Sequence, residues 1–200
     1  MNTFQIQCCI NCNALLKKST LGVFAADLMP FNLKFPCGFI VNTDNHTKIG
    51  THWCAFYFPN ETTVEYFDSY GMPISYFNDY FSKYIFNFSN VTTNSKQLQS
   101  MYSKLCGMYS LFFLLNRMNH VSFHDIVNKF SNDYEKNDLF VYTYFNIVFA
   151  ECIQNIRCRN QICKPLIKLK TYLFVVFVVL LSFSHQRATS SYHNGYAHKI

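Results

Sequence analysis

The stretch Lys104-Leu105-Cys106-Gly107-Met108-Tyr109-Ser110-Leu111-Phe112-Phe113-Leu114-Leu115 constrains this chain more than any other. Polar, Ser-rich sequence gives way at Cys106 to an apolar run of helical length. A helix that is apolar on nearly every side has to be buried. The pattern therefore predicts a central buried helix that opens at Cys106 and ends near Asn119-His120. A thiol at such a start lies against first-turn N–H groups and the positive end of the macrodipole, both of which favour its thiolate. Taken alone, Cys106 also reads as a small buried apolar residue, the commoner situation of a free cysteine.

Around this helix the chain reads as α+β, a small mixed or antiparallel sheet packed with helices. Residues 4–18 suggest one short amphipathic helix ending in Lys17-Lys18, and Gly22 to Asp27 a turn. Cys37–Thr43 and Thr51–Phe58 carry the β-branched and aromatic residues of two strands, separated by the polar loop Asp44–Gly50. Asn60-Glu61 turns into a third strand, Thr63–Asp68. If the last two strands are antiparallel neighbours, positions summing to about 121 face one another, which brings Asp68 within reach of His52. Aromatic residues at 76, 77, 80, 81 and 84 predict a helix within Pro73–Phe86, and residues 85–93 another strand. Ser122 reads as the N-cap of a helix to about Phe130, Asp133–Asp138 as a charged loop, and Leu139–Phe149 as strand or helix.

Composition narrows the function classes. With 50% hydrophobic and 14% charged residues the chain is neither disordered nor a polyelectrolyte. The net charge of +6 lies wholly in the C-terminal part: residues 1–145 hold ten Lys/Arg and ten Asp/Glu, residues 146–200 seven and one. Overall charge thus gives nucleic-acid binding by residues 1–145 no support, leaving only a local basic groove. Nine cysteines form no even framework, and Met1–Ile10 has no secretory pattern, which together point to an intracellular, nuclear or cytoplasmic setting. Cys9 and Cys12 are spaced C-x2-C without a second pair, so no metal and no cofactor is expected.

The expected organisation is a domain over 1–150 and a basic and apolar extension over 151–200. In that extension Arg157, Arg159, Lys164, Lys168 and Lys170 precede an apolar run, Tyr172–Phe183. Its twelve residues fall short of the roughly 17–25 of a bilayer crossing. With Leu166, Ile167 and Leu169, the segment 166–183 reads either as a membrane anchor or as a poorly ordered extension.

Thiol-dependent hydrolysis needs a nucleophile, a histidine to exchange the proton, a group to orient that histidine, and donors for the oxyanion. The chain has a candidate for each: Cys106 as nucleophile, His52 as acid and base, Asp68 as orienting carboxylate, and Gln99 with the Cys106 backbone N–H as oxyanion donors. Gly107 would leave room beside the sulfur, and Trp53 would shield the imidazole. Each residue singly has an ordinary structural reading, a turn former for Asp68 or a hydrogen-bonded strand residue for His52. The weight lies in their combination.

Those same residues resemble a known family. Gly50-Thr51-His52-Trp53-Cys54-Ala55-Phe56-Tyr57, then Tyr66-Phe67-Asp68-Ser69-Tyr70-Gly71, then Gln99 seven residues before Cys106-Gly107, are similar to the adenovirus-type cysteine protease (adenain) family over about residues 20–145. The branch most resembled is that of virus-like DNA transposons, and more distantly the SUMO-specific (Ulp1-like) proteases. The resemblance implies an α+β protease fold, a polypeptide substrate and endopeptidase activity on virus-like or transposon precursor proteins. Its alternatives are a SUMO- or ubiquitin-like protein-specific protease, or a catalytically inactive binding protein of the same fold. It implies His52, Asp68 and Cys106 as the triad and Gln99 as oxyanion donor. Viral members often carry Glu where Asp68 stands, and a small residue where Lys104-Leu105 precede the cysteine. The cysteine that takes the adenoviral activating peptide would fall near Phe88, so that cofactor is not carried over.

Overall fold

The structure is a computed structural model and describes residues 1–159. Its centre is a five-stranded mixed sheet in the spatial order β1 (Thr20–Phe24), β2 (Cys37–Asn42), β3 (Trp53–Asn60), β4 (Thr63–Phe67) and β5 (Asn90–Thr93). The pairs β2–β3 and β3–β4 are antiparallel, and both edge strands are parallel to their neighbours. The α+β expectation is met, in the mixed rather than the antiparallel form.

Strand alternation sorts the side chains into two cores. Ile40, Ala55, Tyr57 and Phe67 face the helices α1 (Thr3–Cys12), α2 (Ala14–Ser19), α4 (Cys106–Met118), α5 (Phe123–Asn128), α6 (Tyr134–Val148) and α7 (Ala150–Arg159). Phe39, Val41, Cys54, Phe56, Val64 and Tyr66 face the other way, onto Ile74 and, from α3 (Asp79–Ile85), Phe81 and Tyr84. A sheet covered on both faces leaves no polar side to its central strand, which is why Trp53–Phe58 reads as an almost unbroken apolar run.

The helix α4 begins at Cys106, as its sequence requires, and buries ten residues, Leu111 and Leu114 among them. Phe113 stacks on Phe67 of β4 at 4.6 Å, and Arg117 forms a two-pronged ion pair with Glu65 at 2.6 and 2.9 Å while lying 4.7 Å over the Tyr57 ring. The helix is therefore clamped along its length to β3 and β4. Each fully buried Phe or Leu contributes about 1.5–3 kcal/mol to that attachment.

Several boundaries differ from expectation, each for a local reason. Residues 4–18 form two helices because Asn13 ends α1 and caps α2, accepting from the N–H groups of Leu15 and Leu16 at 3.1 Å. The expected turn at Gly22–Asp27 is in its first half the strand β1, whose pairing is broken between Thr20 and Val23, around Gly22 at φ 139°. The aromatic segment after Pro73 divides into a 3-10 turn, Ile74–Tyr76, and α3, because Asn78 caps the latter through Phe81 N–H. Residues 134–138 are the start of α6, with Asp133 as N-cap, and the strand expected at 85–93 shrinks to β5. No helix among the described residues is long and apolar enough to cross a membrane. The run 172–183 lies outside the described residues.

Candidate active site

β3 starts one residue after His52, and α4 starts at Cys106. The packing of α4 on β3 brings these two starts together. Ser110 ties them further, its hydroxyl lying 3.0 Å from the carbonyl of Cys106 and 3.3 Å from that of Trp53. On the other side, Thr43 N–H donates to the His52 carbonyl at 3.0 Å, extending the β2–β3 ladder by one step. His52 is therefore held by backbone pairing just where the ladder ends.

Asp68 follows the last residue of β4. The β3–β4 pairs Ala55–Phe67 and Phe56–Tyr66 sum to 122, one more than the sequence suggests, so Asp68 is diagonal to His52. Its carboxylate is fully buried and held from several sides. Oδ1 accepts from Tyr70 N–H at 3.1 Å and lies 2.6 Å from His52 Nε2, while Oδ2 accepts from Met72 N–H at 2.9 Å. Asn94 clasps the Asp68 backbone, accepting its N–H at 3.0 Å and donating to its carbonyl at 2.7 Å. Gly71, at φ 69°, permits this tight turn, and a side chain there would strike the Lys96 carbonyl.

With Nε2 committed to Asp68, the other ring nitrogen is left free of that contact. His52 Nδ1 is buried and has no hydrogen-bond partner among the described residues. Cys106 is 8% exposed and His52 5%. Burial pushes the thiol up, but the neighbouring His52 side chain, helped by Trp53 N–H, brings it below its ordinary value. Sulfur and imidazole are thus neighbours with no hydrogen bond between them. For His52, burial disfavours the imidazolium, and the anionic forms of Cys54, Asp68 and Cys106 outweigh it, so its proton is held more tightly than usual. Cys54 is itself pushed up to about 11 by burial and is a neutral thiol near pH 7. Asp68 and Cys106 therefore carry the effect on His52.

The rings that confine the imidazole are not the one expected. Tyr70 stacks on His52 at 4.7 Å and Phe77 packs against it at 5.4 Å. Trp53 sits in the core of the α4 face, its indole N–H donating to the Met1 carbonyl at 3.0 Å; only its backbone serves Cys106. Alternation along β3 is the reason, since adjacent residues point to opposite faces. The sum of 122 places Tyr70 opposite His52, a signal present in the sequence once the pairing is known to one residue. A Tyr70→Ala chain should lose about 10- to 100-fold in kcat with KM little changed, and Tyr70→Phe should keep most of the rate, because a displaced imidazole misaligns proton transfer. Steady-state kinetics on the two variants checks this.

Gln99 is fully buried in the same region, but its amide is engaged. Its oxygen accepts from Ser69 Oγ at 2.7 Å, and its nitrogen lies 3.0 Å from the Ser103 carbonyl, 2.9 Å from Ser103 Oγ and 3.3 Å from Tyr70 Oη. It braces the 99–103 loop that leads into Cys106 and points no idle donor at the sulfur. Donors do stand at the start of α4, where Leu105 provides no side-chain cap for the first-turn N–H groups. Gly107 opens room for α1, not for a substrate: a Cβ there would lie 3.1 Å from Ile6 Cδ1 and 3.4 Å from Met1 Cβ.

No protein-family model matches the chain, and no curated protein matches it. Among solved structures, the selenomethionine crystal structure of the ASFV pS273R protease is similar at 21% sequence identity and a TM-score of 0.42, over 70% of this chain and 66% of that one. The chain thus covers just under two thirds of that protease's length.

Proposed function

We propose that this chain is a cysteine endopeptidase in which Cys106 is the nucleophile, His52 the general acid and base, and Asp68 the group that orients His52. The observation that carries the reading is the 2.6 Å contact of His52 Nε2 with buried Asp68, which leaves an unpartnered buried Nδ1 for the sulfur at the uncapped start of α4.

The chemistry follows from those positions. Asp68 accepts a hydrogen bond from Nε2–H and so keeps the Nδ1 lone pair available to the Cys106 thiol. The resulting thiolate attacks the peptide carbonyl carbon, and its oxyanion is received by the first-turn N–H groups of α4. His52 then gives its Nδ1 proton to the departing amine as the C–N bond breaks, leaving an acyl thioester on Cys106. Water, deprotonated by His52, hydrolyses the thioester and restores the thiol. Gln99 takes part as oxyanion donor when the 99–103 loop yields an amide hydrogen from Ser103, and otherwise holds that loop in place. The likeness of the His52-Trp53, Asp68 and Gln99-to-Cys106 motifs to adenovirus-type proteases supports precursor polypeptides of virus-like or transposon origin as the substrates.

The test is covalent labelling of the full chain with a peptide vinyl sulfone, mapped by peptide mass spectrometry. One equivalent at Cys106 is expected. Reaction spread over Cys12 and Cys8, with Cys106 no faster than they are, would overturn the proposal.

A further inference from the structure

Beside the histidine lies a third buried group that the proposed reaction does not use. Cys54 is two residues beyond His52 and points to the same face, and one step past the Ala55–Phe67 pair it comes opposite position 68. It is fully buried, as is Asp68. One ligand atom each of His52, Cys54 and Asp68, a ring nitrogen, a sulfur and a carboxylate oxygen, all lie within 4.8 Å of one another.

We propose that His52, Cys54 and Asp68 form a binding site for a thiophilic divalent cation of the zinc type, and that its occupation withdraws His52 from Cys106. The donor set is a nitrogen, a sulfur and an oxygen, all suited to zinc, with a fourth position left to water. Zinc–ligand bonds of about 2.0–2.3 Å put tetrahedral ligands about 3.3–3.8 Å apart. From within 4.8 Å of one another, the three groups reach this by a contraction around the sulfur of at most about 1.5 Å and an opening of the His52–Asp68 contact from 2.6 Å. Binding exchanges the Cys54 thiol proton for the metal and releases that proton to solvent, while the Nε2 proton gives way to the metal and the neutral ring carries its proton on Nδ1, which then offers Cys106 no lone pair. The thiolate and carboxylate then balance the two positive charges in a site too dry to hold them unpaired. Tyr66 stands behind the sulfur, its hydroxyl oxygen 3.3 Å away, and can donate to the thiolate as an outer partner. The cation site stands independently of the peptidase reading, whereas loss of catalysis on occupation rests on it.

The experiment uses the full chain carrying Cys106→Ala, so that the neighbouring sulfur cannot supply a ligand. Cobalt(II) is titrated while sulfur-to-metal charge-transfer absorption is followed, and zinc then competes for the site. The expected result is one equivalent whose absorption disappears when Cys54→Ala is added, with zinc affinity falling by more than about tenfold, the least that loss of even an outer partner costs. Asp68→Asn should weaken zinc similarly, and at one zinc concentration the melting temperature of the parent should rise more than that of either variant. If Cys54→Ala does not fold, Cys54→Ser and Asp68→Asn give the same reading. Unchanged cobalt absorption and zinc affinity in these variants overturns the site. Zinc bound through Cys54 with cleavage by the Cys106-containing chain unaffected overturns the claim on His52 and leaves the peptidase reading standing.

Discussion

A chain carrying Cys106→Ala will cleave no peptide substrate and take up no vinyl sulfone, and His52→Ala will lower kcat by about 10³ or more, the scale of a lost acid–base group that also activates the nucleophile. The second variant separates activation from mere presence of the thiol. In the native chain His52 holds the Cys106 pKa below its ordinary value of 9.0 against a burial effect of opposite sign. Removing the imidazole leaves burial less opposed, so the thiolate will form at higher pH. The rate of iodoacetamide alkylation at Cys106, followed against pH, should therefore have a midpoint below 9.0 in the native chain and a higher midpoint in His52→Ala. The imidazolium sets the other boundary, because His52 holds its proton more tightly than a free histidine. On the proposed mechanism the reactive ion pair is expected above the lowered thiol pKa and is lost as pH rises past the raised imidazole pKa. An alkylation midpoint that does not move on His52→Ala would remove His52 from the mechanism.

The second large effect belongs to Asp68→Asn, for which a fall in kcat of about 10² to 10⁴ is expected. The carboxylate accepts at both oxygens: Tyr70 N–H and His52 at Oδ1, Met72 N–H at Oδ2. An amide can accept at only one of these positions and presents N–H at the other. If its NH2 replaces Oδ2, it confronts Met72 N–H. If it replaces Oδ1, it confronts Tyr70 N–H and makes Nε2 an acceptor, which moves the imidazole proton to Nδ1 and blocks its role as base. Either way one buried donor is left unsatisfied, at a cost of about 1–3 kcal/mol. The melting temperature should fall along with the rate. A variant of native rate would show that another group orients His52.

How far the chain could be read without its structure depended on whether a signal was local. The start of α4 at Cys106 was legible because burial of the whole helix demands an apolar run, and the N-cap Ser122 acts within three residues of itself. The strand β1 was not legible, because a glycine and a break in pairing hide a parallel partner far along the chain. The start of α6 looked like a charged loop because solvated first turns and loops share polar composition. At the site, the short turn between β3 and β4 made the approach of Asp68 to His52 foreseeable. A difference of one in the pairing sum separates position 69 from Tyr70 as the residue opposite His52.

By itself, then, the order of residues determined that a cysteine would open a buried helix, that two antiparallel strands would carry a histidine and a carboxylate to the same end, and that the excess of basic residues follows residue 145. Only the tertiary structure decided which ring nitrogen is left for the sulfur, what confines the imidazole, and that the Gln99 amide faces Ser103. It also decided that a buried thiol, Cys54, stands beside the histidine–carboxylate pair. The physical reason is range. Helix starts and strand periods arise from neighbours along the chain, whereas hydrogen-bond partners, ring contacts and desolvation arise from groups that only packing brings together.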